Sequence, residues 1–585
     1  MTPPNEHFDI IIRGGTVIDG TGKEPFAADV GIRDGRIAAV GVVSGTAREE
    51  IDAKGCIVTP GFIDVHTHYD GQAIWSERML PSSAHGVTTV VMGNCGVGFA
   101  PCRPGDRDLL VSAMEGVEDI PEVVMTEGLD WSWESFPEFL DVVDSKAHDI
   151  DIAAYLPHSA LRVFVMGERG ANREDATDAD IEQMKGIVGE AMAAGAMGFA
   201  TSRVSVHRSI DGKNIPSFEA SERELSAIAG EVSKAGGIVQ LVPELLEGAD
   251  PHEIRRRFEL LSRISSQHSV CVSFTLAQTD DAPDYLTKIV DWVEEANAHD
   301  GAALRPQIFP RPIGMIIGFD LSANPFVLCP TYKSLAQLPL AERIAQLRKP
   351  EVRQKIVSEA PDDPTLPTIA IARNFERMFE MSDEPNYEPD LNDSVAARAR
   401  REGRTPEELA YDLLIADDGH AMLYVALSNY AKGSLDEIGE AFMRPESVIA
   451  LGDGGAHYGL ICDASYTTFM LTHWTRDRDG PRLSLAKTIK ALSSIPSELM
   501  GFSDRGVLAE GFKADVNVID YDRLALYRPE VLYDLPAGGR RLNQKASGFR
   551  ATIVSGEVIV RSDEHTGALP GRLVRHATRG ELQPA

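Results

Sequence analysis

Between Gly61 and Gly452 the hydrophobic period of the chain switches repeatedly from a strand period to a helix period and back. The stretch TDADIEQMKGIVGEAMAAGAMGFATS shows the unit. Thr177 and Asp180 stand at capping distance, an apolar-periodic helix follows, Gly195 stops it, and a short apolar strand comes next. SERELSAIAGEVSKAGGIVQLV repeats the plan with Ser221 and Glu224 as the cap pair. PHEIRRRFELLSRISSQHSVCVSFTLA and DYLTKIVDWVEEANAHDGAALRPQIF repeat it again. In TPEELAYDLLIADDG, Thr405 is the cap, Pro406 the first helical residue and Glu408 the residue reaching back. Apolar strands alternating with helices are buried in a mainly parallel sheet covered by those helices. The expected class is therefore α/β, a closed barrel or an open sheet, with its first strand starting at Phe62 and its last at Ser447–Gly452.

The two chain ends read differently. DIIIRGGTVID and ADVGIRDGRIAAVG alternate and turn, with Asp34-Gly35 as a hairpin signal, and EEIDAKGCIVTPG adds a short strand pair. GFKADVNVIDYD and FRATIVSGEVIVRSD have the same character. Neither end alone buries much core, so the two are expected to form one small β domain. The expected division is 1–59 with 500–585 for that domain and 60–499 for the α/β body. The Pro- and Asp-rich PNYEPDLNDSVAARARREGR and the aromatic EGLDWSWESFPEF read as surface excursions over the mouth of the body.

Of the 585 residues, 89 are acidic and 57 basic, a net charge of -32, which argues against nucleic acid or an anionic membrane as partner. The chain shows no run of about 18 apolar residues and no leader pattern at its start. Its six scattered cysteines suit a reducing, cytoplasmic setting better than a disulfide framework. A small molecule is the expected partner, and nothing speaks against a homo-oligomer.

GFIDVHTHYD ends an apolar strand in His66 and His68, which at strand spacing share one face. Cys95 follows the next apolar strand in VVMGNCGVGFA, and a thiolate beside a histidine pair suits zinc, though a cysteine nucleophile with a histidine base is the rival reading. Asp453 ends the last strand in ALGDGGAHYG, either as ligand and proton carrier or as a plain turn residue. All fall at carboxyl ends of strands, where barrel active sites lie. His457 is placed to bind metal, to bind substrate or to close a loop. Arg203 and His207 in TSRVSVHRS and Arg311 in FPRPIG are candidates for a substrate carboxylate, against a loop role for each. Phe309, Met315, Phe319, Tyr458 and Trp474 form an acyl pocket or simply pack.

With GGTVIDGTG, TPGFIDVHTHYDGQ, GNCG, HSALR, LSLAKTIKALSSIPSELMGFSDRGVLAEGFKADVNVID and HTGALPGRLVR in order, the chain resembles the amidohydrolase superfamily and, within it, the N-acyl-D-amino-acid deacylases, or D-aminoacylases. The resemblance implies a (β/α)8 TIM-type barrel, a small β-sandwich from both termini, and zinc. It matches His66 and His68 to the metal-binding pair, Cys95 to the metal-binding cysteine and Asp453 to the catalytic aspartate. Two histidines expected from it are missing: GIVQLVPELLEG has none, and in VCVSFTLAQ Phe274 stands at the histidine position and Leu276 at that of a substrate-binding lysine. The first expectation is one Zn2+ ion on His66, His68 and Asp453 with Cys95 beside it. Work with little or no metal, and Gln240 or Glu244 as an oxygen ligand, are the alternatives. The implied activity is hydrolysis of an N-acyl-D-amino acid or a close relative. Against it stand a lactam, cyclic imide or ester substrate, and a degenerate scaffold without catalysis.

Overall fold

The computed structural model describes residues 7–245 and 250–577. Both ends of the chain feed one nine-stranded sheet. Val516–Ile519 pairs antiparallel with Ile57–Pro60 and so joins the C-terminal strands to the N-terminal ones. Phe26–Arg33 and Arg36–Gly41 form the hairpin around Asp34-Gly35. Thr46–Asp52 and Ile57–Pro60 do not pair with each other, as the short strand pair would require; each runs parallel to His7–Val17. Ile10, Ile12, Val30, Ile32, Val516, Val518 and Ile553 pack into one apolar cluster, so neither end buries its apolar face without the other.

The body holds two parallel sheets. One contains Phe62–Asp64, Val87–Met92 and Asp151–Ala154. The other runs Leu156–Pro157, Gly198–Ser202, Ile238–Val242, Cys271–Thr275, Ala303–Ile308 and Val448–Ile449. Backbone bonds join the two at both edges. The Met197 N–H donates to Ala154 O on one side, and the Asp453 N–H donates to His66 O on the other. The helices between strands start where their caps predict. Thr177 with Asp180 forms a reciprocal capping box, and the Ser221 hydroxyl accepts the Glu224 N–H.

Two expectations about the body are corrected. The Pro406–Leu414 helix forms with its capping box at Thr405 and Glu408, but it does not cover the parallel strands. Leu409, Ala410, Tyr411 and Leu414 pack with Ile344, Leu347, Ile356, Val395 and Ala399 in a second core. That core lies on an antiparallel sheet of Ile313–Gly318, Met422–Ser428 and Met378–Glu380, inserted between the last two parallel strands. A helical period fixes which face is apolar and not which core receives it. Likewise EGLDWSWESFPEF is no loose excursion: Trp133 is buried, its indole N–H donates to Phe99 O at 2.8 Å, and Ser135 caps the Phe136–Ser145 helix. Among the described residues no helix is long and apolar enough to cross a membrane, and the six cysteines are unpaired.

Candidate metal centre

Three separated segments bring ligand-type atoms to one point. His66 and His68 leave the end of the first parallel strand, Cys95 sits in the turn after Val87–Met92, and Asp453 follows the last strand. Cys95 Sγ lies 3.4 Å from His66 Nε2 and 3.8 Å from His68 Nε2. Asp453 Oδ1 lies 3.6 Å from each of the same two nitrogens. Both histidines are only 1% exposed, which leaves little room for water to satisfy them.

The scaffold around these atoms explains the convergence. The Asn94 amide donates to Thr67 O and Val91 O, lacing the cysteine turn to the histidine segment. Asp70 Oδ2 accepts the Gly93 N–H, and Asp64 Oδ1 accepts the His66 N–H. Cys95 and Asp453 both hold left-handed backbone, φ 57° and 46°, uncommon for side-chain-bearing residues. Gly455 follows at φ 89°, and a Cβ there would meet His68 O at 2.7 Å, so glycine is required for this close approach. His66 Nδ1 donates to Gln307 Oε1 at 2.7 Å, and Gln307 Nε2 donates to Ser273 Oγ at 2.9 Å. This chain fixes the His66 ring and leaves the Nε2 lone pair facing Cys95 and Asp453.

Electrostatically the cluster is short of positive charge. Burial holds His66 down to about 4 and His68 to about 3, so both are neutral bases at pH 7. Burial, then Glu118, Asp453 and Asp70, push the Cys95 thiol far up. Asp453 Oδ1 and both oxygens of the buried Glu118 have no hydrogen-bond partner. Two neutral imidazoles, a carboxylate with an orphaned buried atom and a thiol that ligates once deprotonated are donors that suit a divalent cation. His66, His68 and Cys95 offer atoms all within 4.8 Å of one another.

The remaining expected residues divide. His457, at φ 51°, lies beside the cluster, its ring 6.5 Å from that of His68. His207 accepts or donates at Nδ1 to Ser202 Oγ, 2.9 Å away; burial first, then His457, His68 and His66, hold it at about 3. Arg203 is not brought to the cluster: its guanidinium donates to Ala220 O and lines a groove with Glu219, Glu222 and Arg256. Arg311 is fully buried and committed to Asp463 at 2.7 Å, Cys462 O and Ser465, with Tyr387 stacked 3.9 Å away, so a substrate carboxylate has no access to it. Gln240 reaches the cluster, its Oε1 accepting the Cys95 N–H at 3.3 Å, whereas Glu244 turns away to the Ser205 N–H. Phe274 is buried apolar core, with Ser273 on the opposite, cluster-facing side of its strand. Met315 and Phe319 belong to the insert core, and Trp474 packs on Phe442 and donates to Pro310 O. HSALR supplies a buried ion pair, described below. Glu118 and Gln307 join the cluster without any motif to mark them. Gln307 sits near a strand end, a placement its sequence carries, whereas no spacing singles out Glu118.

The amidohydrolase family model matches residues 49–560. An uncharacterised protein of Mycobacterium tuberculosis is 26% identical over 96% of this chain and 93% of its own length. The D-aminoacylase of Alcaligenes xylosoxydans xylosoxydans is 34% identical over 40% of this chain and 44% of its own. Among solved structures, a D-aminoacylase described by its binuclear metal centre, with one-metal activation and second-metal attenuation, is similar with a TM-score of 0.65 at 22% identity, covering 97% of this chain and 100% of that one. N-acyl-D-glutamate deacylase of Bordetella bronchiseptica, solved with zinc and a phosphonate inhibitor, gives 0.64 at 22% identity with the same coverage. At these identities the likeness is one of fold.

Proposed function

Because the chain belongs to the amidohydrolase family, we propose that it is a metal-dependent hydrolase of a carbon–nitrogen bond in a small amide, an N-acyl-D-amino acid or a close relative. The observation that carries the reading is the convergence of His66, His68, Cys95 and Asp453 from separate strand ends into one buried cluster. The two parallel sheets are taken together as a (β/α)8 barrel within 60–499, with the site at its carboxyl face and the small β domain of 1–59 and 500–585 at its side.

One zinc ion, held by His66, His68 and Asp453 with Cys95 alongside, fits the donors present. Such an ion supplies Lewis acidity for carbonyl polarisation and water activation. The residues do the rest. Gln307 keeps His66 in a single tautomer. Asp453, half in the cluster and one-fifth exposed, takes a proton from the attacking water and delivers it to the departing nitrogen. His207 and His457 are the proposed substrate contacts, both held neutral by burial and so able to donate or accept.

One observation favours a second reading within the same class. Arg311 and Arg203, the expected partners of a free carboxylate, are engaged elsewhere. A lactam, a cyclic imide or a carboxylate-free amide needs neither. The test is metal content of protein purified without added metal, together with turnover of N-acyl-D-amino acids, their L isomers, their amides and a cyclic imide. Absence of both bound metal and turnover across that panel overturns the proposal; turnover of the amide or imide alone selects the second reading.

A further inference from the structure

Glu118 ends the helix Arg107–Glu118, a poor place for a carboxylate, since helix C-termini carry partial negative charge. It is 1% exposed, and neither of its oxygens has a hydrogen-bond partner. Burial first, then Asp453 and Asp70, push its carboxyl far up, so it stays ionised only with donors beside it, and two imidazoles are there. Oε1 lies 3.3 Å from His68 Nδ1, itself a buried nitrogen with no partner, and Oε2 lies 3.5 Å from His457 Nε2. The backbone fixes the same arrangement, because the His457 N–H donates to Glu118 O. Both separations lie at the outer edge of hydrogen-bond range, and a small rotation that turns each ring N–H onto its oxygen completes the bond.

From this we propose that Glu118 is a positioning residue that orders two imidazoles at once. Its Oε1 receives the Nδ1–H of His68, which leaves the Nε2 lone pair of that ring aimed at Cys95 and Asp453. Its Oε2 receives the Nε2–H of His457, which holds the partly exposed ring at the mouth of the same cluster. Gln307 does for His66 what Glu118 does for His68, with an amide in place of a carboxylate. Such outer partners commonly carry 10–100-fold in metal affinity. The zinc part of the inference rests on the reading of the cluster as a metal centre; the ordering of the two rings does not.

The experiment uses full-length protein, freed of metal and labelled with 15N and 13C at histidine. His68 and His457 resonances are assigned by their loss in His68→Asn and His457→Asn. The wild-type protein should show His68 as the Nδ1–H tautomer and His457 as the Nε2–H tautomer. Glu118→Gln should turn one or both rings into tautomer mixtures while the circular dichroism spectrum stays the same. Zinc affinity, measured by chelator competition, should fall 10–100-fold with it. Glu118→Asp, which keeps the charge but draws the oxygens back by one methylene, should also release one or both rings into tautomer mixtures; it carries the comparison if the glutamine variant does not fold, and unaltered tautomers there overturn the proposal. Wild-type rings in other tautomers, or tautomers unaltered in Glu118→Gln, overturn the proposal whatever the zinc affinity does. A wild-type protein that binds no zinc but shows these tautomers leaves Glu118 ordering both rings and counts against the metal reading alone.

Discussion

Two buried histidine clusters in this molecule look alike by composition and differ in bonding. His158, Arg162 and Glu224 form one of them. His158 Nδ1 is 2.8 Å from Thr201 Oγ1 and its Nε2 2.8 Å from Glu224 Oε1, while Arg162 donates to both Glu224 oxygens and to Glu174 O. Burial pushes the Glu224 carboxyl up, yet the bonds from His158 and Arg162 outweigh it and hold it at about 2. Only Arg162 Nε lacks a partner there. The His66, His68, Cys95 and Asp453 cluster is the opposite case: its atoms face one another at 3.4–3.8 Å, and Asp453 Oδ1 is orphaned. A saturated polar network holds a fold together, whereas convergent unsatisfied donors are kept for something that arrives from outside.

That contrast breaks first at Glu224. Glu224→Gln leaves Arg162 buried without its counter-charge and is expected to destabilise the fold by about 3–5 kcal/mol. Turnover per folded molecule should hold. Denaturant melts paired with active-site-normalised kinetics check both, and a large loss of turnover without a loss of stability would erase the distinction. Asp453→Asn should do the reverse, with kcat down about 10²-fold or more and the melting curve in place.

The next test sharpens the chemistry of the unsatisfied cluster. The Cys95 thiol is held far above its ordinary range, so a ligating Cys95 must release a proton when zinc binds. Zinc affinity should then rise about tenfold per pH unit across the neutral range. His66 and His68, at about 4 and 3, are already deprotonated there and add no slope. Cys95→Ser should weaken binding and flatten this dependence, leaving only what the buried Asp64 and Asp70 carboxyls add. Titrations at pH 6, 7 and 8 that give parallel curves for both proteins would place Cys95 outside the ligand set.

The smallest expected effect concerns Asp64, whose carboxyl burial raises to about 8. Between its ordinary value and about 8 the native protein binds a proton that the unfolded chain has released. Stability of the metal-free protein therefore falls as pH rises through that window. Asp64→Asn should remove this contribution, about 2 kcal/mol at most between pH 6 and 8. The histidines held near 3 to 4 act with opposite sign, their contribution lost as pH falls below about 6.5, which keeps them largely out of the measured range. Equal pH slopes for the two proteins would count against a protonated Asp64.

By itself the sequence determined what depends on near neighbours. Caps at Thr177, Ser221 and Thr405, the turn at Asp34-Gly35, and the strand-end placement of His66, His68, Cys95 and Asp453 all follow from local sterics, period and chain direction. The tertiary structure alone decided which core each apolar face enters and which charges end up buried together. The Pro406–Leu414 helix carries the same signals as the helices of the body, yet it packs in the insert, because the choice between two cores is made by contacts far apart in the chain. Arg311 follows a strand end like the site residues and turns inward to Asp463, 152 positions away. Glu118 closes an ordinary-looking helix and becomes a buried carboxylate between two imidazoles only when His457 is folded over it. Desolvation, pairing and orphaned polar atoms belong to the packed arrangement, and no spacing along the chain encodes them.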